Sequence, residues 1–168
     1  MAAKTGTYTL IASNTLSSVT TDITFSSIPA TYTDLVIVAN YKASGGGKYV
    51  SMRLNGDTGT NYSRTELLGN GTSASSQRLS NENYAYLTSI YAPVGEWATF
   101  LINLNDYSNT TTFKTILTRG NNTSTGTGAN VNLWRSTAAV NTILLTALSS
   151  GYDIGSTFKL YGIEAGNL

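Results

Sequence analysis

Tyr49-Val50-Ser51-Met52-Arg53-Leu54 runs directly into Asn55-Gly56-Asp57-Thr58-Gly59. In the first stretch Val50, Met52 and Leu54 fall on one side of an extended chain and Ser51 and Arg53 on the other, the period of a half-buried strand. The second stretch sets two glycines, an Asn and an Asp within five residues, which is turn chemistry. The same alternation of strand and turn extends in both directions. Upstream, Leu35 to Ala43 is rich in β-branched residues and stops at Ser44-Gly45-Gly46-Gly47. Before it, Val19, Thr21, Ile23 and Phe25 alternate with Thr20, Asp22 and Thr24, and Tyr8, Leu10 and Ala12 alternate with Thr7, Thr9 and Ile11. Downstream, Arg64 to Leu68, Tyr84 to Tyr91, Trp97 to Leu104, Phe113 to Thr118, Val131 to Arg135, Ile143 to Leu148 and Phe158 to Ile163 read as strands. Thr72 to Asn83 is poor in apolar residues and Asn121 to Asn130 contains Gly126 and Gly128, so both read as loops.

About ten short strands with Gly, Asn and Ser between them are the signature of an all-β sandwich or barrel. Ser136 to Leu148 is the nearest rival helix, but Thr142, Ile143 and Thr146 are β-branched and favour a strand. The expected architecture is one antiparallel β-sandwich over residues 7–168, preceded by an arm, Met1 to Gly6. Both faces of Trp97 to Leu104 are partly apolar, so one of them is expected to meet a partner.

Composition narrows the chemistry. The 168 residues are 40% hydrophobic, enough for one core, and only 11% charged, with a net charge of +1. That balance gives no general attraction to nucleic acid or to an anionic membrane, and neither is an expected partner. The start of the chain lacks an apolar core of signal-peptide length, and no apolar run is long enough to span a bilayer as a helix. There is no Cys and no His. Disulfides, Ser–His–Asp and Cys–His nucleophile systems and the usual zinc sites are therefore excluded. Only a pair of carboxylates would support catalysis, and most of the nine acids sit beside turns or on polar strand positions. No catalytic residue, cofactor or metal is expected.

Several motifs have a plain reading beside a functional one. Asn55 to Gly59 has the look of a calcium loop, but it holds one carboxylate where calcium needs several oxygen ligands; a β-turn with Gly at positive φ accounts for it. Gly45-Gly46-Gly47-Lys48 has a phosphate-loop flavour without the required spacing or a following helix, so a flexible hairpin is expected. Asn61-Tyr62-Ser63, Asn70-Gly71-Thr72, Asn109-Thr110-Thr111 and Asn122-Thr123-Ser124 match the glycosylation pattern, as chance allows in a chain rich in these residues. Trp97 alternates with strand residues and is assigned to packing. Trp134-Arg135 follows a polar loop and divides evenly between packing and docking.

Three segments resemble small structural proteins of tailed phages, especially cyanophages and other aquatic phages. They are Ile23-Thr24-Phe25-Ser26-Ser27-Ile28-Pro29-Ala30-Thr31-Tyr32-Thr33-Asp34-Leu35-Val36-Ile37-Val38, Arg53-Leu54-Asn55-Gly56-Asp57-Thr58-Gly59-Thr60-Asn61-Tyr62-Ser63, and Gly155-Ser156-Thr157-Phe158-Lys159-Leu160-Tyr161-Gly162-Ile163. The resemblance implies a jelly-roll-like sandwich on a virion and carries over no catalytic residue. The expected function is capsid decoration (cement): a homo-oligomer, such as a trimer, seated on the major capsid protein or other virion proteins. Contacts are expected at Met1 to Gly6, at Gly45, Gly46, Gly47 and Lys48, and at Thr123 to Asn130. The alternative is a tail-fibre or baseplate module that binds host glycan, with Tyr107, Trp134 and neighbouring Arg135 as its contact residues.

Overall fold

The computed structural model describes residues 7–45, 48–122, 124–148 and 150–164. The chain is all-β, with twelve strands in two antiparallel sheets and no helix among the described residues. The strands are β1 (Tyr8–Thr15), β2 (Asp22–Phe25), β3 (Asp34–Lys42), β4 (Lys48–Leu54), β5 (Tyr62–Gly69), β6 (Ala74–Glu82), β7 (Ala85–Ala92), β8 (Trp97–Asn105), β9 (Lys114–Asn122), β10 (Gly126–Trp134), β11 (Ile143–Ala147) and β12 (Thr157–Ile163). An eight-stranded sheet runs β1-β12-β3-β8-β9-β10-β5-β6, and a four-stranded sheet runs β2-β11-β4-β7.

The core lies between the sheets. Ile23, Phe25, Val50, Met52, Leu54, Ile143 and Leu145 from the small sheet meet Leu35, Ile37, Ala39, Phe100, Ile102, Leu104, Phe158 and Leu160 from the large one. Val50, Met52 and Leu54 thus face inward together, as their alternation requires. Tyr41 stacks on Phe100 at 5.3 Å, and Tyr152 meets Phe158 edge-on at 4.8 Å.

The inner face of the large sheet changes character partway across. One cross-strand row reads Leu160, Ile37, Ile102, Thr118, Asn130, Glu66, Gln77; the next reads Gly162, Leu35, Leu104, Ile116, Asn132, Arg64, Leu79. The apolar half faces the core of the small sheet. Over the polar half lies β7, the edge strand of the small sheet, which packs on β9, β10 and β5. There Asn130 Nδ2 donates to Tyr86 O at 2.8 Å and Thr118 Oγ1 to Leu87 O at 2.5 Å. These bonds give two buried carbonyls of the edge strand a partner. Beyond them the Arg64 guanidinium lies 3.9 Å from the centre of the Tyr86 ring, and Gln77 Nε2 donates to Glu66 at 2.6 Å.

The sequence reading is corrected in two places. Thr72 to Asn83 is not a loop: Ala74–Glu82 forms β6, which pairs with β5 at the end of the large sheet. It lies beyond β5 at the end of the large sheet, eight of its nine residues are exposed, and none needed to be apolar. Asn121 to Asn130 is likewise mostly strand, because β9 and β10 form a tight hairpin that pairs Asn122 with Gly126.

Three of the four glycosylation-like triplets are turn devices. Asn70 Oδ1 accepts from the backbone N–H and the hydroxyl of both Thr72 and Ser73, and Asn109 Oδ1 does the same with Thr111 and Thr112. Asn122 Oδ1 accepts from Ser124 N and from the hydroxyls of Ser124 and Thr125. The shared pattern, Asn followed two and three positions later by Ser or Thr, closes an Asx-turn.

Gly162 on β12 has the Tyr32 ring lying directly over it, so a methyl group there would overlap the ring. Gly162→Ala is expected to lower stability by about 1–3 kcal/mol through overpacking. Denaturant unfolding checks this, with Tyr32→Ala in the same chain expected to recover part of the loss.

Candidate functional site

On the outward face of the large sheet the polarity is reversed. Leu117 on β9, Ala129 and Val131 on β10, and Leu67 on β5 point away from the core, while Thr118, Asn130 and Asn132 point into it. Val131 sits opposite both Leu117 and Thr65, and Ala129 opposite both Arg119 and Leu67. The result is a shallow trough of about 440 Å³ walled by Thr65, Leu67, Asn103, Leu117, Arg119 and Val131. Leu67 is 60% exposed, Val131 50% and Leu117 38%. A second depression shares Leu67, Arg119 and Ala129 and continues toward Gly69 and Thr127. One guanidinium beside a continuous aliphatic floor suits contact with another macromolecular surface.

The trough was not among the sequence-derived contacts. Period two separates two faces but does not say which is inside. The available signal was the shared parity of Thr118, Asn130, Asn132, Arg64 and Glu66 on three strands that prove to be adjacent.

The residues expected at a contact are dispersed. Gly46 and Gly47 lie outside the described residues, as do the Lys48 side chain, Thr123 and the Met1–Gly6 arm. Gly45 ends the segment after β3, whose Ser44 N–H donates to Gly151 O at 2.9 Å. Tyr107 and Trp134 are corrections: they are 0% and 2% exposed and offer no stacking surface. The Tyr107 hydroxyl donates to Pro29 O and pins the β2–β3 connection. Trp134 stacks on Tyr62 at 6.3 Å. Arg135 is half-buried and donates to Thr60 O at 2.8 Å and Asn81 Oδ1 at 3.3 Å, tying two connections together. Trp97 is the reverse correction: it is 53% exposed, on the outward side of β8.

Asp57, Asp34 and Asp22 hold the fold together. The Asn55–Gly59 turn, with Asn55 and Gly56 at φ 52° and 69°, aims Asp57 inward. Its carboxylate accepts from Trp134 Nε1 at 2.6 Å, Asn61 Nδ2 at 2.9 Å and Gly59 N at 2.8 Å. Three N–H donors surround it, the opposite of a cation cage. Burial pushes the Asp57 carboxyl up, but the bonds from Trp134, Asn61 and Gly59 outweigh it and hold the group below the usual carboxylate range. Asp34 accepts from Asp106 N at 2.8 Å, and Asp22 from Thr146 Oγ1 at 2.7 Å. Among the described residues no three His, Cys, Asp or Glu side chains gather as metal ligands.

No protein-family model, curated protein or solved structure matches the chain.

Because its folded-state pKa is depressed, Asp57 contributes stability that is fully present above the ordinary value of 3.8 and is lost as pH falls through the folded value. Asp57→Asn is expected to cost about 1 kcal/mol at neutral pH, the group being partly solvated. Thermal melts from pH 7 down to the acid limit check it. The variant should lose less stability than the parent below the ordinary carboxylate range, and the parent's Trp134 emission should change over that same range.

Proposed function

We propose that the chain is a structural protein of a tailed-phage particle, a capsid decoration protein that binds the assembled head shell. The observation that carries this reading is the aliphatic trough left open on the outer face of β8, β9, β10 and β5. A decoration protein needs an outward surface that gains from being covered, and binding only the assembled shell would stabilise it by mass action. The trough supplies such a surface without acid–base machinery beside it.

The resemblance to phage structural proteins supports the same reading, because its three segments fall on the packing nodes of the sandwich. Ile23–Val38 contains the connection pinned by Tyr107, Arg53–Ser63 contains the Asp57 turn, and Gly155–Ile163 contains β12 between β1 and β3. The order β2-β11-β4-β7, in which strands distant in sequence become neighbours, agrees with a jelly-roll reading. Among the described residues no further strand pairs with β1 or β6, the two edges of the large sheet, which leaves room for a homo-oligomer.

The test uses heads from which the protein has been stripped. Wild-type protein is expected to bind them saturably, and Leu67→Glu combined with Val131→Glu to bind at least about tenfold more weakly with an unchanged melting curve. Binding by the double variant equal to wild type, or recovery of the protein only on tails, overturns the proposal.

A further inference from the structure

Trp97 is the one tryptophan that the core does not use, and its surroundings are unlike the aliphatic trough. It lies at the start of β8, directly opposite Lys42 on β3. Lys42 Nζ stands 5.4 Å from the centre of its ring and 3.3 Å from Asp153 Oδ2. Asn122 Nδ2 donates to the Trp97 carbonyl at 3.1 Å, fixing the backbone from the β9 side. The ring edge extends toward Gly155, where no side chain intrudes. A large aromatic ring is thus held in place yet more than half exposed.

Besides the Lys42 ammonium, the groups around it are hydroxyls, amides and carboxylates. Glu96 Oε2 accepts from Ser124 Oγ at 2.5 Å, and with Gly95 and Trp97 these two line an open cleft of about 530 Å³. Along the same outward face, Thr99 donates to Asn40 at 2.7 Å and pairs across the strands with Asn121. A rigid indole beside fixed donors and acceptors matches the needs of a pyranose, which presents an apolar C–H face to the ring and equatorial hydroxyls at its rim. Charge sets the sugar class. Asp153 neutralises Lys42, while among the described residues that line the cleft Glu96 is the only charged one, so an acidic sugar is repelled and a neutral one is not.

We propose that Trp97, Glu96 and Ser124, with Thr99 and Asn40 alongside, form a binding site for a neutral hexose unit of a polysaccharide. This inference is independent of the decoration reading, because the site lies on different residues from the trough and acts wherever the chain sits.

The experiment is affinity electrophoresis of the purified full chain through native gels containing dextran, mannan or galactan, with a polyuronic acid gel alongside. Retardation is expected in at least one neutral gel and not in the acidic one. Trp97→Ala is expected to weaken it at least about tenfold, and Trp97→Phe to keep part of it. In a ¹⁵N spectrum, fragments of the retarding polysaccharide should shift the Trp97 indole signal and leave that of buried Trp134 in place. Melting curves establish that the Trp97 variants remain folded. No retardation in any neutral gel, retardation only in the acidic gel, or a folded Trp97→Ala variant that is retarded as wild type each overturns the proposal. None of these outcomes alters the result of the head-binding test.

Discussion

Asn130 and Thr118 donate their side-chain hydrogens to the carbonyls of Tyr86 and Leu87, and the layout of the sandwich follows from where those carbonyls lie. A four-stranded sheet placed over an eight-stranded one must end somewhere above its partner, and here it ends at β7. The edge of a strand carries backbone groups with no ladder partner. Pressed against a surface of Leu and Ile they would be stranded, at about 1–3 kcal/mol for each buried group. The strands beneath must therefore present donors inward. Side chains alternate, so the same strands must send their aliphatic residues outward. The inward donors Thr118 and Asn130 and the aliphatic residues beside them on the outer face, Leu117, Ala129 and Val131, are two sides of one alternation.

This is also where the sequence could and could not be read. The alternation of Val50, Met52 and Leu54, of Ile23 and Phe25, and of Phe100, Ile102 and Leu104 was legible because the burying surface is apolar on both sheets. The turn at Asn55–Gly59 was legible because its residue types determine the backbone. β6 was not, since a strand overhanging the smaller sheet buries nothing and carries no pattern. The tip of the β9–β10 hairpin was not, because Asn130 is polar for the sake of a β7 carbonyl and Asn122 and Ser124 for their own turn. The two tryptophans exchanged places for a similar reason. Trp97 has strand alternation around it but faces outward, and Trp134 follows a polar stretch but reaches the Asp57 carboxylate. The trough and the Trp97 surroundings both require knowing which strands are neighbours.

The Asx-turns show how little the chain relies on its two prolines for its corners. Each of Asn70, Asn109 and Asn122 gathers donors from residues two and three positions on, so the corner is specified within four residues. Asp57 extends the same device over a longer range, joining its own turn to Trp134 on β10. Local and long-range closure thus use one chemistry, a side-chain oxygen facing several N–H or O–H groups.

The placement of β12 between β1 and β3, and of β11 between β2 and β4, has a consequence for the order of assembly. Both bridging strands follow in sequence all of the strands they join. Before Ile143 emerges from a ribosome, β2 and β4 have nothing to join them; before Thr157 emerges, β1 and β3 are in the same position. The β5–β6 and β8–β9–β10 hairpins pair neighbours in sequence and can form early. The apolar strands of the core must wait, exposed, for partners of high sequence separation, which is the slow and aggregation-prone part of β folding. A chain stalled or cut ahead of Thr157 is therefore left with unpaired core strands rather than with a smaller version of the same domain.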